Sequence, residues 1–156
     1  MDDMAYPFGI SELLDERQRT ALENTTISLG HSRTRTAASV IVGWAAHVHR
    51  LHTERDLGPG QDNDAWTAHD YIAALLIRAR AQRALDQLDP DVRQAAARVV
   101  ARFDELLNSF TEPDERQVLR RFAAGEAGEQ WWWQRIPVSG PVRTDLDRYA
   151  ERTARP

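Results

Sequence analysis

The chain is 156 residues long, carries a formal net charge of −4 and contains no cysteine. That length buries a core without covalent staples, and the missing thiols exclude disulfides and thiolate metal centres. The negative balance argues against unassisted binding to nucleic acid phosphates, and no apolar run approaches the length of a membrane span. The first residues, Met1-Asp2-Asp3-Met4, are acidic where a signal peptide is basic, so a cytoplasmic protein is expected. All twenty basic residues are arginine, which is what GC-rich coding DNA produces.

Residues 1–10 form an N-terminal arm with Tyr6, Pro7, Phe8 and Ile10 but no periodicity. Ser11 is placed to cap a helix from Glu12 to about Asn24, whose thin apolar set of Leu13, Leu14, Ala21 and Leu22 suits a peripheral position. The Ser/Thr-rich stretch from Thr25 to Thr36 reads as a connection or a frayed continuation. From Arg35 to about Arg55, Ala37, Val40, Ile41, Trp44, Val48 and Leu51 recur at helical spacing and predict a buried helix. Leu57-Gly58-Pro59-Gly60-Gln61-Asp62-Asn63 is a loop by its breakers, and its acidic residues lack the offsets of a calcium loop.

The organising stretch runs from Asp64 to Phe110, read as two long antiparallel helices joined at Leu88-Asp89-Pro90-Asp91. Asp64 is the expected cap of the first. Its middle, Tyr71 to Ile77, is apolar all round and predicts a post enclosed on most sides, with Arg78, Arg80, Arg83 and Asp86 on the water side. In the second helix Val92, Ala96, Val99, Val100, Phe103, Leu106, Leu107 and Phe110 make one core stripe, and Glu112-Pro113 ends it. A further helix from Asp114 to Ala124 is expected to bury Val118, Leu119 and Phe122, with Thr111 and Asp114 as a capping pair. Residues 126–141 have no helical period, and a final helix over 142–152 buries Val142, Leu146, Tyr149 and Ala150. The expectation is an all-α, single-domain bundle of five to six helices with an irregular Trp/Pro-rich C-terminal segment.

Four features bear on function. Trp131-Trp132-Trp133 put three of the five tryptophans in one irregular segment. Consecutive side chains diverge by about 100° on a helix and by half a turn on a strand, so one flat core does not bury all three. Trp131, Trp132, Trp133 and Arg135 are therefore the candidate partner-binding residues, with Trp132 and Arg135 as anchors of types enriched at binding hot spots; the plainer alternative is a lid, Trp131 and Trp133 plugging the edge of the bundle and Trp132 lying along the surface or under the C-terminal helix. His49 and His52 share a helix face and His69 with Asp70 opens the next helix, so a divalent metal held by His49, His52, His69 and Asp70 is the cofactor alternative. No H-x-x-x-H or H-E-x-x-H spacing supports it. Arg78, Arg80, Arg83, Arg93, Arg98 and Arg102 would make a phosphate site if they gathered on one face, but interleaved acids favour a self-neutralised surface.

No cysteine nucleophile, G-x-S-x-G, phosphate-binding glycine loop or dinucleotide fingerprint occurs. The preferred expectation is a non-enzymatic cytoplasmic protein, without cofactor, that binds another protein: a neutraliser of the antitoxin or immunity type, or a small assembly subunit. Its net acidity favours a basic partner, homo-oligomers remain open, and neither nucleic acid nor membrane is an expected partner. The alternatives are a metal-dependent helical enzyme and a protein holding an apolar ligand under the tryptophan lid.

Overall fold

The computed structural model describes residues 6–57 and 67–154. Among them are six α-helices: α1 (Glu16–Asn24), α2 (Ala37–Thr53), α3 (Ala68–Gln87), α4 (Pro90–Ser109), α5 (Val118–Phe122) and α6 (Pro141–Ala154). Helix predominates, as expected. Two antiparallel two-stranded sheets correct the purely helical reading: β1 (Thr26–Gly30) with β2 (Arg33–Thr36), and β3 (Thr111–Pro113) with β4 (Arg135–Pro137). The chain groups into two compact units, one comprising the chain up to His49 with Leu76–Glu105, the other Arg50–Leu75 with the chain from Leu106 onward.

In the first unit, Ile10–Glu12 is a 3₁₀ turn and α1 starts later than Ser11 implied. Asp15 is the cap: its carboxylate accepts from the Gln18 N–H at 2.7 Å, and the Gln18 side chain accepts from the Asp15 N–H at 2.9 Å. This reciprocal pair satisfies two donors that a helix start leaves open. Residues 26–36 are a hairpin, neither connection nor frayed helix. Ile27 faces Arg35 and Thr26 faces Thr36 across the ladder, and the Ala37 N–H closes its base on the Thr25 carbonyl at 2.8 Å. Ile27, Leu22, Ile41, Trp44, Val48 and Val99 are fully buried, and Gly43 lets α2 come close to Ile77.

Arg78 corrects the water-side assignment. It is 5% exposed, with Nε and Nη2 donating to the two oxygens of Asp104 at 2.8 and 3.0 Å. Trp44 Nε1 donates to the same carboxylate at 3.0 Å, and Arg78 Nη1 reaches Gln82 at 3.2 Å. Burial pushes the Asp104 carboxyl above its ordinary range, against the pull of Arg78 and Trp44.

The apolar middle of α3 is less enclosed than its composition implied. Tyr71, Ile72, Ala74 and Leu75 are buried, Leu76 and Ile77 half-buried, and Ala73 exposed. Its first turn is closed by Thr67 and Asp70, the Thr67 N–H donating to the Asp70 carboxylate at 2.8 Å; the expected Asp64 cap and the loop from Gly58 lie outside the described residues. The α4 stripe is as expected, save that Leu106 is half-buried.

In the second unit, α5 is one short turn and a half, not a helix from Asp114. The buried Asp114 carboxylate accepts from the Val118 and Leu119 N–H groups at 3.1 and 2.8 Å, and Gln117 sits at φ 53°, so the helix cannot begin earlier. Thr111 is no part of that cap: its hydroxyl donates to the Leu107 carbonyl. Val118, Leu119, Ile136, Val142, Leu146 and Ala150 are buried; Phe122 and Tyr149, expected inward, are half-buried and meet edge to face with ring centroids 5.0 Å apart.

Candidate functional site

The segment after α5 turns at Trp131–Gln134 as a 3₁₀ helix and enters β4 at Arg135. Three residues per turn separate successive side chains by about 120°. Trp132 and Trp133 are each 3% exposed. Trp131 points elsewhere and is half-buried, its ring edge-to-face against Trp132 with centroids 5.7 Å apart and planes at 83°. Around it in the chain, Glu126, Glu129, Gln130 and Gln134 are exposed, and Arg120 pairs with Glu129.

The mount beneath this turn is polar. Gln134 donates its side-chain amide to the Glu129 backbone carbonyl at 3.0 Å, and the Gln134 backbone carbonyl accepts from the Asp114 N–H at 2.9 Å. Arg135 spends its guanidinium on Thr111, Nε to the hydroxyl at 3.0 Å and Nη2 to the carbonyl at 2.8 Å. The Arg135 carbonyl accepts from the Tyr71 hydroxyl at 2.8 Å. Burial raises the Tyr71 phenol far above its ordinary value, with the nearby Arg135 charge opposing and Asp114 adding, so Tyr71 serves as a donor and not as a base. Arg135 thus braces β3 against β4 instead of standing ready for a partner.

The histidines do not converge. His49 stacks on Phe8 with centroids 4.3 Å apart, His52 tilts against Phe110 at 5.5 Å, and His69 against Phe122 at 4.9 Å. Asp70 is occupied by the Thr67 N–H and hydroxyl. Among the described residues no group of three or more His, Asp or Glu side chains is arranged to hold a metal.

No known protein family, characterised protein or solved structure matches this chain. An apolar cleft lined by Leu51, Phe110, Pro137, Pro141 and Val142 has room, about 20 Å³, for one water-sized body, and none of the three tryptophans lines it. A drug-sized ligand needs roughly 300 Å³ or more. Among the described residues no helix is long and apolar enough to cross a membrane.

Two features were not foreseen. The Arg78 and Asp104 pair joins residues 26 apart that each fall beside an apolar stripe, and single-helix periodicity does not reveal such a match. The hairpin did have a signal: Thr26-Ile27-Ser28-Leu29 and Arg33-Thr34-Arg35-Thr36 alternate about a Gly30-His31-Ser32 turn.

Proposed function

We propose that this protein binds another protein, with the Trp131 face as the contact and Trp132, Trp133 and Arg135 as its mount. The observation that supports the reading is the half-buried Trp131 ring braced on a buried indole and surrounded in the chain by exposed polar and acidic residues. A pre-positioned indole loses little rotamer freedom on binding, and tryptophan inside a polar rim is the usual composition of a binding hot spot. The overall charge of −4 and the exposed Glu126 and Glu129 favour a basic partner. A neutraliser of a basic protein, or a small subunit docking on one, fits that chemistry; no cofactor is required.

Tagged chain purified from its own cells, as native protein and as Trp131→Ala, tests the reading. A partner recovered with the native chain and reduced roughly 30-fold with the variant, far-UV circular dichroism unchanged, supports it. Equal recovery with both refutes it.

A further inference from the structure

The β1–β2 hairpin is rich in donors and contains no acid. Residues 25–36 include Arg33, Arg35, His31 and the hydroxyls of Thr26, Ser28, Ser32, Thr34 and Thr36, with no Asp or Glu. Residues 30–35 are all exposed, and a Cβ added at Gly30 would meet nothing within 4 Å, so the tip stands clear. Some exposed arginines elsewhere pair with acids, as Arg17 with Asp91 and Arg116 with Asp147. Among the described residues Arg33 and Arg35 take part in no ion pair.

The turn adds a second, independent observation. Gly30 faces Arg33, so His31 and Ser32 are the two central residues, at φ 53° and 62°. Positive φ at both positions is what a two-residue hairpin turn requires, and Asn-Gly meets it with little strain. Here the backbone accepts strain and keeps a ring N–H and a hydroxyl at the tip, a substitution pattern associated with functional sites.

The exposed chemistry discriminates between polyanions. A protein interface has an apolar or aromatic centre, and this hairpin exposes no large apolar side chain. Contact with a phosphate backbone needs only guanidinium, hydroxyl and N–H donors. We propose that the hairpin contacts the phosphate backbone of nucleic acid, Arg33 and Arg35, which share one face of β2, each engaging a phosphate, with no reading of bases. The proposal goes beyond the Trp131 reading and stands without it. The net negative charge opposes such binding, which is therefore weak and strongly salt-dependent.

Fluorescence anisotropy of a labelled duplex of about 20 base pairs, in about 50 and 200 mM salt, tests it. With two phosphates engaged, the native chain should bind roughly tenfold more weakly at the higher salt. The Arg33→Gln/Arg35→Gln variant should lose at least about tenfold at the lower salt. Arg83→Ala/Arg98→Ala, which removes the same charge from exposed helix positions, should stay close to native. Circular dichroism accompanies each, and Arg33→Lys/Arg35→Lys, which keeps the charge, should retain most binding if the glutamine pair misfolds. The proposal is overturned by no binding at low salt, by equal loss in the hairpin and helix variants, or by polyglutamate engaging Arg33 and Arg35 as tightly as the duplex. That last result would assign the hairpin to acidic polypeptides.

Discussion

Replacing Arg78 by Met tests the packing logic of the first unit. The substitution keeps most of the volume but leaves the Asp104 carboxylate, 16% exposed, with the Trp44 N–H at 3.0 Å in place of three donors. Stripping one member from a buried ion pair costs about 3–5 kcal/mol, and the remaining Trp44 bond and solvent edge put this case near 3. With an m-value of about 2 kcal/mol/M, the urea midpoint should fall by about 1.5 M near neutral pH, read by far-UV circular dichroism. The pH response carries the sign. Burial already raises the folded Asp104 carboxyl above its unfolded value, so stability falls as pH rises through that window and is recovered as pH falls. Losing Arg78 removes a lowering influence and extends the window upward. The deficit should therefore shrink between about pH 7 and pH 4.5, and Arg78→Met/Asp104→Asn should recover most of it. A deficit below about 1 kcal/mol, or one constant over that pH range, refutes the reasoning.

Gly140→Ala places a Cβ 2.3 Å from the Arg55 carbonyl oxygen at φ 95°, and should lower Tm by about 5–10 °C in a calorimetric scan. Asp114→Ala removes the acceptor for two N–H groups at the start of α5 and should cost about 2 kcal/mol in urea unfolding; a cost near zero contradicts its capping role. Trp132→Ala should cost about 3–5 kcal/mol and Trp131→Ala much less, so equal losses would put both rings in the core.

Legibility in the sequence followed the length scale of the interaction. The α4 stripe from Val92 to Phe110 repeats over five turns, and that redundancy made both the helix and its buried face readable. The strands span three to five residues each, too few for a period to stand out, and β3 and β4 pair residues 22 to 26 positions apart. Helix starts depended on which of several neighbouring acceptors folds back: Asp15 prevails over Ser11 because Gln18 completes its reciprocal bond, and Asp114 caps α5 from four residues upstream. For the tryptophan triplet, divergence of consecutive side chains correctly implied unequal burial. The ring expected at the surface, Trp132, is the buried one and Trp131 is half-buried, because the 3₁₀ turn is set by bonds to Gln130, Glu129 and Asp114 that composition does not disclose. Arg135, a hot-spot residue by type, is bound up by Thr111 on the paired strand.

A photo-crosslinking residue at position 131, with position 98 on exposed α4 as control, probes the Trp131 face inside the cell. A single discrete adduct is expected from position 131, absent from position 98 and suppressed by excess native chain. Identical adduct patterns from both positions, or none from 131, would contradict it.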